Sequence, residues 1–517
     1  LFFENLIKYC RKWQKPIIER KIIMRKNLCI LQTSCRKANY YKILNSCRNT
    51  YQIVRNLKEA DWIIFPFCSC TDIIIEHFEQ ELENIINCKK ETCKLIITGC
   101  ITYVKESKKD FLKKYNIDYI IPEPNQVEEI CKILEVKPVN STYNPFDIKG
   151  IVEIAEGCLN KCTFCRIHYS NRPLHSVSME EIENEVKELV SKGIKYIELR
   201  ALNSAQYGID LYGRKMLHIL IQKLSKVEGI EGIEIGCFSL SDAYDEVIKE
   251  IRKNDLVLHV NIDIQSGSDR ILKLMNVGHS VEDIRKIFSL LKEKIACTRL
   301  ISGFPSETEE DVKQTIELLK ELNILDIDIS NYCNSMDIPS GKMEQLSEET
   351  AKKHEAMYNS AVHEIQEKMD IENNGKTYVG YVSRFSLNFL YVYCPKHCTI
   401  VLNMKKEYFK YNLNDKVKLH FLDGKYSIVE LLEPNSIETV PLESSEDKFI
   451  ELITNFMAIT TEFGFDFGTL DNQLFEIFTA YGGNKLNPKE FLKAISNSPE
   501  ILQKALLTLY NQVHKTK

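Results

Sequence analysis

The chain has 517 residues, 44% of them hydrophobic and 27% charged, which is ordinary for soluble globular domains and enough for about three to four of them. A formal charge of −5 excludes neither nucleic acid nor protein as a partner, and the sequence has no run of about 18 apolar residues that would predict a membrane-spanning helix. Eighteen cysteines would mean a disulfide framework in a small secreted protein, but this chain is long. Its basic opening (1–26, with Met24 a candidate start) lacks the apolar core of a signal peptide. A cytoplasmic setting, with reduced thiols available as metal ligands, is expected.

Residues 27–137 alternate short apolar strands with helical stretches, and "LCILQTSC", "ADWIIFPFC" and "CKLIITGC" each end a β-branched run at a cysteine. This predicts an α/β domain with a parallel sheet, whose functional groups gather at the carboxyl ends of the strands. A Pro/Asn/Ser-rich linker, "KPVNSTYNPFD" (137–147), follows. Over 148–340 the strand–helix pattern restarts, with strands expected at "IVEIAE", "KYIELR", "IEGIEIGCF", "LVLHVNID", "ACTRLIS" and "ILDIDIS". Six βα units predict a partial (β/α)6 barrel with its site at the strands' carboxyl ends. Residues 341–372 read as a helical connector, 373–433 as a small β-barrel of five closely spaced strands, and 441–517 as a helical extension.

The informative motif is "EGCLNKCTFC", which puts Cys158, Cys162 and Cys165 in a C-x3-C-x2-C loop directly after the first barrel strand. Three thiolates can hold three irons of a [4Fe–4S] cluster and leave the fourth iron open to a small molecule. A zinc knuckle would need a fourth ligand, and His168 is too close to supply it. Cys10, Cys29, Cys88, Cys131, Cys237, Cys297 and Cys333 read as incidental buried thiols.

This spacing, with Phe164 before the last cysteine and a βα barrel behind it, resembles the radical S-adenosylmethionine superfamily. In that superfamily the open iron chelates the cofactor's amino and carboxylate groups, and reduction yields a 5′-deoxyadenosyl radical that abstracts hydrogen from an unactivated carbon. "ALNSAQYG" (201–208), "QSGSDRILKLMNVGHS" (265–280) and "ISGFPSETEED" (301–311) resemble, in order and spacing, segments of the methylthiotransferases. The resemblance implies that Phe164, Gln265, Ser266, Gly267 and Ser268 line the cofactor pocket, with Gly303 near its adenosyl end. It also implies an electron donor such as flavodoxin or ferredoxin.

Cys35, Cys68 and Cys100 lie 33 and then 32 residues apart, each at a strand end. The same resemblance makes them ligands of a second [4Fe–4S] cluster, whose open iron would carry the sulfur that meets the substrate radical. Cys70 is the alternative to Cys68. Pro66-Phe67 and Lys37-Ala38-Asn39-Tyr40 depart from the family pattern around these cysteines.

The β-barrel resembles the TRAM module. It carries nine Lys/Arg against four Asp/Glu between Lys376 and Glu430, with interleaved aromatics, a mixture suited to RNA although alternating aromatics are more often core. "CPKHC" (Cys394, Cys398) reads as a hairpin with incidental thiols. The 441–517 segment faintly resembles Nif11-type leader helices. "GCLNKCTFC" most resembles the branch of the methylthiotransferases that acts on threonylcarbamoyl-adenosine beside the anticodon of tRNA, and that resemblance implies tRNA methylthiolation as the leading expectation. A protein or ribosomally made peptide residue is the alternative substrate, and a non-enzymatic metal-containing RNA-binding protein is the third reading. The enzyme readings predict roughly eight irons per anaerobically prepared chain. Zinc in place of iron, measured by metal analysis, would favour the third.

Overall fold

The computed structural model describes residues 25–434 except 32–36, 55–56, 68–71, 104–109, 123–124, 145–146, 167–172, 292–293, 296, 323, 325, 336, 386–388, 398, 404–407, 409–410 and 412–413. The expected extension at 441–517 lies outside the described residues, as does nearly all of 1–26. Two compact units divide the chain. One comprises Arg25–Asn374 with Pro395–Cys398; the other includes Gly375–Cys394 and the chain from Thr399 on.

In the first unit, β1 (Asn27–Ile30), β2 (Gln52–Ile53), β3 (Trp62–Phe67), β4 (Lys94–Gly99) and β5 (Tyr119–Ile121) form a parallel sheet in the order β2-β1-β3-β4-β5. Every residue of β3 is buried because helices cover both faces. Ile63, Phe65 and Phe67 pack toward α2 (Asp72–Cys88) with Phe78 and Leu82. Trp62 and Ile64 pack with Ile43 of α1 (Lys37–Cys47) and Ile130 of α3 (Gln126–Ile133). The linker is clamped onto α1. Asn45 Nδ2 donates to the carbonyls of Ser141 (2.8 Å) and Tyr143 (3.1 Å), and the Val139 N–H donates to Ser46 Oγ at 2.8 Å.

Next come β6 (Lys149–Glu153), β9 (Tyr196–Arg200), β10 (Gly232–Phe238) and β11 (Val257–Ile262), parallel and in that order; β7 and β8 are short strands described with the site. β12 (Cys297–Ser302) and β13 (Asp326–Asn331) pair in parallel, and a bridge between Gln265 and Leu300 joins the two sets. The six strands coincide with the six expected from sequence. Helices α4 (Met179–Ser191), α5 (Ile209–Tyr212), α6 (Leu217–Leu224), α7 (Asp245–Lys253), α8 (Asp269–Met275), α9 (Val281–Leu291) and α10 (Glu309–Leu322) lie between successive strands. They share one hydrophobic core with the strand residues that face them, such as Ile197, Leu199, Ile233 and Ile235. Ser178 caps α4 in a reciprocal capping box with Glu181. The expected connector is α11 (Glu348–Asn373), which buries Tyr358, Ala361, Ile365 and Met369 at helical spacing.

The second unit holds the five expected strands, β14 (Thr377–Phe385), β15 (Phe389–Tyr393), β16 (Thr399–Asn403), β17 (Lys416–Leu422) and β18 (Lys425–Glu433). They form an antiparallel sheet in the order β16-β15-β14-β17-β18. Its core contains Val382, Leu390, Val392, Ile400, Val417 and Leu419.

Gly99 has no room for a single methyl. Its φ is +88°, and a Cβ there would stand 2.7 Å from both the N and the O of Phe67. Gly99→Ala is therefore expected to cost at least about 2 kcal/mol in denaturant unfolding. Unfolding midpoints within error of the parent would contradict this.

Candidate active site

The cysteine loop starts where the first barrel strand ends. β7 (Ala155–Glu156) and β8 (His175–Ser176) pair antiparallel, Ala155 opposite Ser176 and Glu156 opposite His175, and so draw together the two ends of the loop. Gly157 precedes Cys158 with φ +74°, and a Cβ there would lie 1.9 Å from the Pro173 carbonyl oxygen. The loop is also tied to α8 and its exit. The Thr163 N–H donates to the Met275 carbonyl, Thr163 Oγ1 to the Leu274 carbonyl and Asn276 Nδ2 to the Lys161 carbonyl, each at 2.9 Å. Phe164 and Cys162 pack against the edge of the barrel core.

Cys158, Cys162 and Cys165 are all half-buried. Burial pushes the Cys162 thiol up to about 12, with Cys165 and Cys158 adding to the effect. Burial also raises Cys158, opposed by the Asn160 N–H. Metal binding at such thiols has to displace their protons. Among the described residues no three His, Cys, Asp or Glu side chains converge as a cage for one ion. A cube needs no such convergence, because each thiolate takes a different iron. Three braced thiols on one short loop suit that donor set.

Gln265 follows β11 with φ +67°, a strained value for a non-glycine residue. Its N–H donates to the Arg299 carbonyl and its carbonyl accepts from Ile301 N–H, both at 3.0 Å. Its Oε1 is buried with no hydrogen-bond partner, an acceptor suited to a polar ligand. The next three residues turn to α10. The Gly267 N–H donates to Thr315 Oγ1 at 2.9 Å, Ser266 Oγ lies 3.4 Å from the same hydroxyl, and Ser268 Oγ donates to Asp311 Oδ1 at 2.6 Å. Asp311 also receives Arg270 and both donors of Thr308. Burial works against its charge, but these donors more than offset that and hold it well below the usual carboxylate range. Gly303 follows β12 with φ +75°, and its N–H donates at 3.0 Å to Glu307. Glu307 is held in turn by His354 (2.8 Å) and Tyr358 (3.0 Å).

Cys100 is partly buried at the end of β4, the first residue of a 3-10 turn that ends at Tyr103. Cys35, Cys68 and Cys70 lie outside the described residues. Phe67, the residue before Cys68, pairs with Gly99, the residue before Cys100, on adjacent strands.

Sequence reasoning gave no roles to Asn203, Gln206, Lys215 and Asp242, which stand around the cysteine loop. Asn203 and Gln206 are 2% and 1% exposed. Their signal was available in "ALNSAQYG", where three polar side chains crowd a strand-to-helix turn.

The family model described as "Radical SAM superfamily" matches residues 152–319, which contain this loop, the end of β6 and the whole of β9, β10, β11 and β12. That defines the class as a radical S-adenosylmethionine enzyme. The ribosomal protein uS12 methylthiotransferase RimO of Clostridium botulinum (strain Eklund 17B / Type B) is 34% identical over 339 residues, covering 60% of this chain and 75% of the relative. The like-named protein of Clostridioides difficile (strain 630) is 30% identical, covering 63% and 79%. Among solved structures, the radical S-adenosylmethionine methyltransferase TsrM from Kitasatospora setae has a TM-score of 0.46 at 11% identity, covering 62% of this chain and 77% of that one. The chain belongs to the radical S-adenosylmethionine methylthiotransferase family, whose enzymes use S-adenosylmethionine and two [4Fe–4S] clusters. The relatives are named for a ribosomal protein rather than for tRNA. No helix among the described residues is long and apolar enough to cross a membrane.

Gly157→Ala is expected to lower iron content and the yield of folded protein together, since its methyl would meet backbone rather than a mobile side chain. Iron per chain equal to the parent's would show that the loop tolerates the methyl.

Proposed function

We propose that this enzyme transfers a methylthio group to an unactivated carbon of a protein or peptide residue. The observation that carries the choice is the naming of its 30–34% identical relatives for ribosomal protein uS12. In this proposal Cys158, Cys162 and Cys165 hold the cluster that binds S-adenosylmethionine, and Cys35, Cys100 and Cys68, with Cys70 as alternate, hold the second. When bound, the first cluster and its cofactor supply a carbon-centred radical, and the second supplies sulfur. The chain's own part is to fix the loop and turn the Gln265 amide toward the ligand. Ser266, Gly267 and Ser268 act by anchoring that turn to α10, and Phe164 by seating the loop on the barrel.

Replacing Cys158, Cys162 and Cys165 by Ala is expected to abolish 5′-deoxyadenosine formation under reducing anaerobic conditions. Replacing Cys35, Cys68 and Cys100 is expected to leave that formation within about threefold of the parent and to stop sulfur transfer. Retained cofactor cleavage in the first variant would overturn the ligand assignment. For the substrate, uS12 and tRNA nucleosides from cells with and without the gene are compared by mass spectrometry. A methylthio group lost from uS12 or another polypeptide supports the proposal, whereas one lost from tRNA adenosine overturns it in favour of the tRNA reading.

A further inference from the structure

We propose that Gln206 is a positioning residue for the iron–sulfur cluster, locking the loop N–H groups beside Cys158 and thereby setting that cluster's reduction potential. The inference rests on the assignment of Cys158, Cys162 and Cys165 as cluster ligands.

The Gln206 carboxamide is buried between three loops and uses both ends. Its Oε1 accepts the Leu159 N–H at 2.9 Å. Its Nε2 donates to Asn160 Oδ1 at 2.6 Å and to Asp242 Oδ2 at 2.8 Å. The opposite flip would set NH2 against the Leu159 N–H and oxygen against the Asp242 carboxylate, so the partners fix the orientation. Asn160 extends the brace. Its Nδ2 reaches Ser239 Oγ (3.2 Å) and Ser241 Oγ (3.4 Å), while its N–H lies 3.5 Å from Cys158 Sγ.

Asp242 is the hub on the far side. It also accepts Asn203 Nδ2 at 2.7 Å and pairs with Lys215 at 3.1 Å. Lys215 Nζ donates to the Asp242 carbonyl as well, at 2.7 Å. The carboxylate therefore orients Gln206 while a cation balances its charge.

An N–H aimed at a ligating sulfur stabilises the reduced, more negative cluster and raises its potential. Leu159 and Asn160 are consecutive, so gripping the Leu159 N–H and the Asn160 side chain leaves the Asn160 N–H little freedom to turn from Cys158. A bond that only filled space would not bear on the potential.

The test uses the full chain, reconstituted anaerobically, with Gln206→Met, which keeps the volume and loses the polar ends. Gln206→Asn is the second variant, too short to span Leu159 and Asp242 at once. Iron and sulfide per chain are measured first. Redox titration then follows the electron paramagnetic resonance signal that changes on adding S-adenosylmethionine, which selects the cluster assigned to Cys158, Cys162 and Cys165. The expected result for either variant that retains iron is a more negative midpoint. With dithionite, 5′-deoxyadenosine formation should fall roughly tenfold, corresponding to about 1.4 kcal/mol, and the stronger reductant titanium(III) citrate should restore it. An unchanged midpoint and spectrum, or a loss that titanium(III) citrate does not restore, overturns the role of Gln206. Failure of the underlying assignment looks different: Cys158→Ala would keep the S-adenosylmethionine-responsive signal.

Discussion

Cys158, Cys162 and Cys165 sit on a loop without regular secondary structure, so their spacing is held only by what the loop is bonded to. Nearly all of those bonds use main-chain groups. The N–H of Leu159, the carbonyl of Lys161 and the N–H and carbonyl of Thr163 are each taken by another segment. A half-buried loop must satisfy its backbone somewhere, and here it does so through the turn after β9, the end of α8 and the Ser340 N–H. The bonds that make burial tolerable engage the backbone rather than the cysteine sulfurs. Structure and site are one set of contacts.

The amino-terminal sheet meets a similar demand with a different device. Parallel pairing places Phe67 beside Gly99, and the glycine allows a backbone approach that any side chain would block. The cysteines that follow start from adjacent strand ends, although 32 residues separate them in sequence. Helix α1, which follows Cys35 closely, is fastened to the linker through Asn45 and Ser46 and reaches the barrel through Lys42 and Glu185 at 3.5 Å. That contact joins the amino-terminal sheet's layer to the barrel within one compact unit.

The strands and the cysteine loop were legible because buried parallel strands leave continuous apolar, β-branched runs and because three cysteines at short spacing are rare by chance. The supporting polar residues were not. Asp242 lies 36 positions from Gln206 and joins it only after two βα turns have folded back to the same rim. Nor does a sequence distinguish a serine that faces a cofactor from one that fastens a turn. Ser266 and Ser268 do the second, through Thr315 and Asp311, whereas Gln265 beside them keeps a buried acceptor unengaged. The second unit was legible as five strands, with Tyr378 and Tyr426 packed against its core and Phe389 exposed, so its aromatics divide between core and surface.

"YIELR" and "GIEIGCF" also mislead in one respect. Their alternation suits strands with one face in water, yet Glu198 and Glu234 are only 9% and 8% exposed. On this buried face charges that would be solvated on an open sheet must find partners. Lys149 supplies them, at 3.0 Å to Glu198 and 2.5 Å to Glu234, and Arg200 adds a second contact to Glu198 at 2.7 Å. Burial alone would raise the Glu198 carboxyl, but Lys149 and Arg200 bring it down to about 2. Removing one partner of such a group leaves an uncompensated charge worth about 3–5 kcal/mol, so the set acts as a unit.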